Sequence, residues 1–194
     1  MQRLTKLGLT LATMAVVPAT AVAQRPIELG IDGAIDWIKL EPSTDIDTDW
    51  QSSVQIPVAN FRIGFFTADR RWSVEPNLAF SRFSFGDGHV TNTQLDLGLL
   101  YHFAVANRRE PGKPQPYLRP FVGFEHGSVS GVDGVADDNS DTVARFGVGL
   151  GVKLPMVDRL ATRLEARYVH ATEGDAQPAA NGFALGFGLS FFTR

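Results

Sequence analysis

Residues 182–194 read G-F-A-L-G-F-G-L-S-F-F-T-R, and their alternation decides the fold. Phe183, Leu185, Phe187, Leu189 and Phe191 take every second position, with Ala184, Gly186, Gly188 and Ser190 between them. A period of two sends the large apolar set to one face of a strand and the small set to the other. A soluble sandwich turns its large side chains inward and its polar ones outward. Here the face opposite the large residues is small, as a crowded and narrow interior requires. The stretch therefore predicts the closing strand of a barrel whose outer surface is apolar and meets lipid.

The pattern repeats upstream. Strand 1, over 27–40, sets Ile27, Leu29, Ile31, Ile35 and Trp37 against Glu28, Asp32 and Asp36. Strand 2, over 54–66, changes phase: Val54, Ile56 and Val58 share one parity and Phe61, Ile63 and Phe65 the other. One extra residue near Ala59-Asn60, a β-bulge, accounts for that slip. Strand 3, over 72–85, places Trp72, Val74, Leu78 and Phe80 outward and Glu75, Asn77 and Ser81 inward. Strand 4, over 93–104, turns Leu95, Leu97, Leu99, Tyr101 and Phe103 out, and Gln94, Asp96 and His102 in. Strand 5, over 117–129, has Leu118, Val122 and Phe124 out, with Arg119, Gly123 and Glu125 in. Strand 6, over 142–154, has Phe146, Val148, Leu150 and Val152 out, with Arg145, Lys153 and the glycines in. Strand 7, over 160–170, has Leu164, Ala166 and Tyr168 out, with Arg163, Glu165 and Arg167 in. With strand 8 the count is eight and even, and each strand is long enough for the roughly 9–11 residues that cross a bilayer. Pro76 and Pro120 fall inside strands, where each removes a ladder donor; bulges would absorb them, as one would for Pro57.

The start of the chain reads as a secretory signal peptide over 1–23: Arg3 and Lys6, an apolar run from Leu7 to Val17, and the small residues Ala21-Val22-Ala23. The barrel domain is then 24–194. Removing 23 residues from 194 leaves 171, one domain's worth. The segment carries two of the 18 basic residues, so 16 stand against 21 acidic ones, a charge of −5. A mildly acidic chain of this kind gives no basis for nucleic-acid binding. The chain has no cysteine, which excludes a disulfide framework and a lipid-anchored cysteine.

Gly186-x-x-Leu189-x-Phe191 resembles the C-terminal signal that the assembly machinery of bacterial outer-membrane barrels recognises. In that family the chain commonly stops on an aromatic residue, whereas this one continues through Phe192 and Thr193 to Arg194. Phe61-Arg62-Ile63-Gly64, Ser73-Val74-Glu75 and Leu164-Glu165-Ala166-Arg167-Tyr168 resemble the small barrels of the OmpA/OmpX type. The resemblance implies an all-β, eight-stranded antiparallel up-and-down transmembrane β-barrel in the cell outer membrane, without the peptidoglycan-binding half of full-length OmpA. It further implies a monomer without cofactors, in contact with outer-membrane lipid and lipopolysaccharide and handled by the barrel-assembly machinery. Both termini would be periplasmic. The Asp-rich connections at 41–52 and 130–141 would then face outward, and those holding Arg70, Arg71, Arg108, Arg109 and Lys113 would face the periplasm. Trp37, Trp72, Tyr101, Tyr117 and Tyr168 would form the interface girdles.

Three features bear on chemistry. The interior holds Arg62, Arg119, Arg145, Lys153, Arg163 and Arg167 against Glu28, Asp32, Asp36, Glu75, Asp96, Glu125 and Glu165. An eight-stranded barrel is wide enough only for its own side chains, so near-balanced charge should pair into a salt-bridge network that plugs the lumen. The members of that network are Arg62, Glu75, Asp96, Arg119, Glu125, Arg145, Arg163, Glu165 and Arg167; the rival reading is a narrow pore. His126 and Ser128 are similar to the His and Ser of lipid A deacylase barrels, which would make the protein a lipid-modifying enzyme. That family follows the pair with Asn near its last strand, whereas here Val129 follows and three strands remain, so no catalytic residue is assigned. Finally, Asp45-x-Asp47-x-Asp49 and Asp137-x-Asn139-x-Asp141 begin like calcium loops. Their sixth places hold Trp50 and Thr142 and their twelfth Ile56 and Val148, which excludes an EF-hand, and no metal site is assigned. The expected function is a non-enzymatic structural or surface-interaction barrel. The principal rival fold is a soluble lipocalin-like barrel, which would carry its large residues inside.

Overall fold

In the computed structural model, alternation of apolar with small or charged residues yields nine antiparallel strand segments and, among the described residues, no helix. The structure describes residues 25–40, 51–55, 60–85, 88–104, 113–130, 139–175 and 178–193. The segments are β1 (Ile27–Leu40), β2 (Gln51–Gln55), β3 (Asn60–Phe66), β4 (Trp72–Phe85), β5 (Gly88–His102), β6 (Gln115–Ser130), β7 (Asn139–Val157), β8 (Leu160–Ala171) and β9 (Ala180–Phe192). Sequential neighbours pair, and β1 meets β9 from Glu28↔Phe192 to Leu40↔Ala180, which closes the sheet. Segments β2 and β3 both pair with β1, at its far and near halves, and form one stave. The result is a closed eight-stranded antiparallel barrel. The signal-peptide reading, Pro57 and the Asp45–Asp49 run lie outside the described residues.

The faces follow the alternation. Phe61, Leu95, Leu97, Val122, Leu150, Leu164 and Phe187 point outward, with Val122 and Leu150 61% and 60% exposed. The large buried side chains are instead charged: Arg62, Arg119, Lys153, Glu28 and Glu75 are each at most 1% exposed. That inversion rules out the lipocalin-like alternative, whose cavity would hold the large apolar residues. Trp72, Tyr101 and Phe103 form an aromatic cluster at the end nearest the termini, with ring centroids 4.8 and 5.3 Å apart in succession. At the far end Trp37 lies in register with Phe183, and Phe183 with Tyr168.

Several local expectations need correction. Between Ala34↔Gln55 and Ile31↔Phe61, β1 advances three residues while its partner advances six. The inserted offset is odd, as the phase slip requires, but it is three residues and not one. The prolines act without bulges. Pro76 keeps its place opposite Leu97, while the β3–β4 ladder skips from Arg62↔Asn77 to Phe65↔Val74. Pro120 keeps its place opposite Val148, while the β5–β6 ladder skips from Gly98↔Phe121 to Tyr101↔Leu118. Each proline lacks only one N–H, so it interrupts one ladder and leaves the register unchanged. A bulge does occur between Pro155 and Val157, beside the turn into β8. Strands β5 and β7 begin earlier than expected, so Asn139 and Asp141 lie in the ladder opposite Val129 and Gly127.

Thr193 fastens the end of β9 to the start of β1. The Ile27 N–H donates to Thr193 Oγ1 at 2.9 Å, and the Thr193 N–H donates to the Ile27 carbonyl at 2.8 Å. Thr193, beyond the last aromatic, thus continues the closing seam.

Candidate functional site: the charged lumen

Glycines make room for the lumen's charges. Arg62 lies in register with Gly30, and a Cβ on Gly30 would come within 2.2 Å of the Arg62 guanidinium carbon. A Cβ on Gly98 would come within 2.5 Å of Arg119 Nε, and one on Gly149 within 2.9 Å of the Glu165 carboxylate.

In the near half of the barrel, eight charged groups form one buried cluster. Arg62 reaches Glu28 at 2.5 Å, Asp32 at 2.7 Å and Glu75 at 3.5 Å, and donates to Ser190 Oγ at 2.6 Å. Glu75 also takes Arg163 at 2.8 Å and Arg119 at 3.2 Å. Glu165 takes Arg163 at 2.5 Å and Arg119 at 3.5 Å, while Lys153 reaches the second oxygen of Glu28 at 2.5 Å. Four carboxylates face four cations, so the cluster is neutral. Neutrality and multiple hydrogen bonds are what make buried charge tolerable. The cluster brings together Arg62, Glu75, Arg119, Arg163 and Glu165 of the expected network.

The remaining members lie farther along the axis. Arg145 reaches Glu125 at 3.0 Å and Asp96 at 3.6 Å, and Glu125 also accepts from Asn92 at 2.6 Å. Arg167 faces Asp36 at 3.8 Å, too far for a hydrogen bond. Beyond these groups the lumen opens into a cavity of about 440 Å³.

Three lumen residues, Tyr117, Ser73 and His102, stand outside the expected charge network. Tyr117, expected in an interface girdle, is fully buried in the lumen. Its hydroxyl donates to Glu165 at 2.7 Å and accepts from Arg163 Nε at 2.5 Å. The signal was available, because Tyr117 shares the parity of inward-facing Arg119. Ser73 and His102 meet through Oγ and Nε2 at 3.0 Å, and His102 stacks on Phe66 with centroids 5.3 Å apart. Both residues are buried, which withholds this pair from any substrate at the surface.

His126 points outward, and its Nδ1 lies 2.8 Å from Thr142 Oγ1 across the β6–β7 ladder. Ser128 faces Ser140 two residues along, and Glu125 turns the other way, toward Asn92 and Arg145. Among the described residues, no group of three His, Cys, Asp or Glu side chains has the placement to hold a metal ion.

A closed antiparallel barrel is also what comparison with known proteins returns. The family model described as outer membrane protein beta-barrel domain matches residues 8–191. The chain belongs to that family. Members lie in the outer membrane, which gives the apolar belt its solvent. Neisserial surface protein A has a similar crystal structure, with a TM-score of 0.62 and 14% identity over 85% of this chain and 96% of that one. Ail, the attachment invasion locus protein of Yersinia pestis, gives a TM-score of 0.53 and 15% identity over 87% of this chain and 99% of that one. At such identities the likeness is one of fold. No curated protein matches the chain by sequence.

Proposed function

We propose that this outer-membrane barrel has a non-enzymatic structural or surface-contact role, with a lumen closed to ions by the near-half charge cluster. One observation carries the reading: Glu75, fully buried, is shared by Arg62, Arg119 and Arg163, which ties four staves together across the interior. An ion path would need water where these groups meet. The surface-contact part draws on the second structural neighbour, whose name assigns attachment to that protein. In this reading the termini face the periplasm, and the far end meets lipopolysaccharide and whatever lies outside.

The deciding experiment reconstitutes the purified barrel in bilayers containing lipid A, records current, then extracts the lipid for mass analysis. Silence on both counts is expected. Steady single-channel conductance would establish a pore. Loss of an acyl chain that His126→Ala abolishes would establish an enzyme. Orientation is checked separately, because the chain has no native cysteine. A membrane-impermeant maleimide should label Ser140→Cys on intact cells and leave Asp158→Cys unlabelled, both positions being exposed at opposite ends. The reverse pattern would invert the barrel.

A further inference from the structure

The far-half cavity differs from the rest of the lumen in its lining. Its floor holds Asp36, Glu125, Arg145 and Arg167, and Ile38, Val90, Val143 and Val169 add apolar surface among neutral polar residues such as Asn92 and Thr172. The register explains the opening. Asp36 and Arg167 flank Ala184 on the two sides of β9, and one rung outward Ile38 and Val169 flank Gly182. Small residues on β9 thus form a trough between two apolar walls, ending at an acid. Glycine keeps the trough open: a Cβ on Gly182 would stand 3.3 Å from the Trp37 carbonyl and 3.6 Å from Ile38 Cγ1.

The pairing of the floor is incomplete. Among the described residues that line it, Asp36 and Glu125 stand against Arg145 and Arg167, and Arg145 also serves Asp96 behind it at 3.6 Å, which leaves Asp36 to Arg167. Asp36 is only 8% exposed, yet its Oδ2 has no hydrogen-bond partner, and Arg167 stands 3.8 Å from its Oδ1. A buried carboxylate oxygen without a donor is costly, and a ligand that supplies one recovers that cost. From this geometry we infer that the cavity binds a small organic ammonium ion. Its N–H groups donate to Asp36 Oδ2, and a short apolar stem lies in the β9 trough between Ile38 and Val169. The volume is within the roughly 300–1,000 Å³ range of small-molecule pockets. An anion would meet Arg167 but would also lie against the unpartnered Asp36 Oδ2.

The test uses the whole barrel in nanodiscs, with the Gly182 backbone amide followed by NMR. n-Pentylammonium chloride is the probe, with pentanoate and pentanol as counter-probes of the same stem. The expected result is a saturable Gly182 shift with the ammonium ion alone. Asp36→Asn should weaken binding about tenfold or more, the value of a charge-assisted hydrogen bond. Gly182→Val, whose Cβ needs the Trp37 carbonyl to give by a few tenths of an ångström, should weaken it by filling the trough and leaving the acid intact. Circular dichroism and heat-modified gel mobility confirm that each variant is folded. Saturation by pentanoate or pentanol, no saturation at all, or unchanged affinity in folded Asp36→Asn would each overturn the proposal.

Discussion

Removing the Glu75 carboxylate should leave a specific cation stranded. Arg62 would keep Glu28 and Asp32 at 2.5 and 2.7 Å, and Arg163 would keep Glu165 at 2.5 Å. Arg119 would keep only Glu165, at 3.5 Å, and its Nε and NH2 already lack well-formed hydrogen bonds. Breaking a fully buried pair from one side costs about 3–5 kcal/mol, so Glu75→Ala should lose about that much. Glu75→Gln should lose less, since it keeps the shape and one acceptor. The pair of Arg167 and Asp36, at 3.8 Å and without a hydrogen bond, sets the contrast, and Arg167→Ala should lose less than Glu75→Ala. Urea unfolding in lipid vesicles, followed by tryptophan fluorescence and extrapolated linearly, measures each value. The double variant Glu75→Ala/Arg119→Ala carries the sharpest consequence. Because it removes the stranded cation with the anion, it should be more stable than Glu75→Ala alone. A Glu75→Ala barrel as stable as the parent, or a double variant whose loss is the sum of the single losses, would refute the reasoning.

Other perturbations probe the outer belt, the interior packing and the turns. Leu97→Arg places a cation on the lipid-facing surface and should cost about 2–4 kcal/mol if that position lies at mid-bilayer, measured by the same unfolding assay. Gly147→Ala would put a methyl group 2.1 Å from the Tyr168 carbonyl and 2.7 Å from the Phe121 ring. It should destabilise by about 1–3 kcal/mol, whereas Gly186→Ala, whose nearest neighbours stand 3.7 Å away, should be close to neutral. In the exposed β3–β4 turn, hydrogen bonds from Thr67 and from the Arg71 N–H hold the Asp69 carboxyl below its usual range. The turn contacts are therefore complete above the ordinary carboxylate pKa and are lost as pH falls through the depressed value. Carboxyl NMR titration should show Asp69 titrating low and Thr67→Val raising it.

The faces of the barrel were legible because a strand has only two of them. Once Phe183, Leu185 and Phe187 are outward, parity assigns the rest of β9, and the same rule placed Arg62, Glu75, Arg119 and Arg163 inside. Parity also pointed Tyr117 inward, but its nearness to a strand end suggested a girdle; the aromatic ring serves equally well among cations, at 4.8 Å from the Arg163 guanidinium. What parity cannot give is position along the axis relative to other staves. Alternation within one strand does not reveal which arginine meets which carboxylate, because that depends on stagger between neighbours. The three-residue offset in the second stave was visible only as an odd number, since one and three leave the same phase. The cavity was hidden for a related reason. Ala184, Gly182 and Ala180 look like the other small interior residues, and only their register between β1 and β8 shows that nothing large reaches across them.

The glycines beside the charges constrain how this interior could change over time. Gly30 and Arg62 share one volume, as do Gly98 and Arg119, so neither member of a pair can grow while its neighbour stays long. A lineage could reach a different lumen only through paired exchanges, shortening one side chain as the other lengthens. The expected trace is correlated size variation at positions that are neighbours across the ladder and far apart in the chain. Outward-facing sites, where one apolar residue replaces another against fluid lipid, should drift independently.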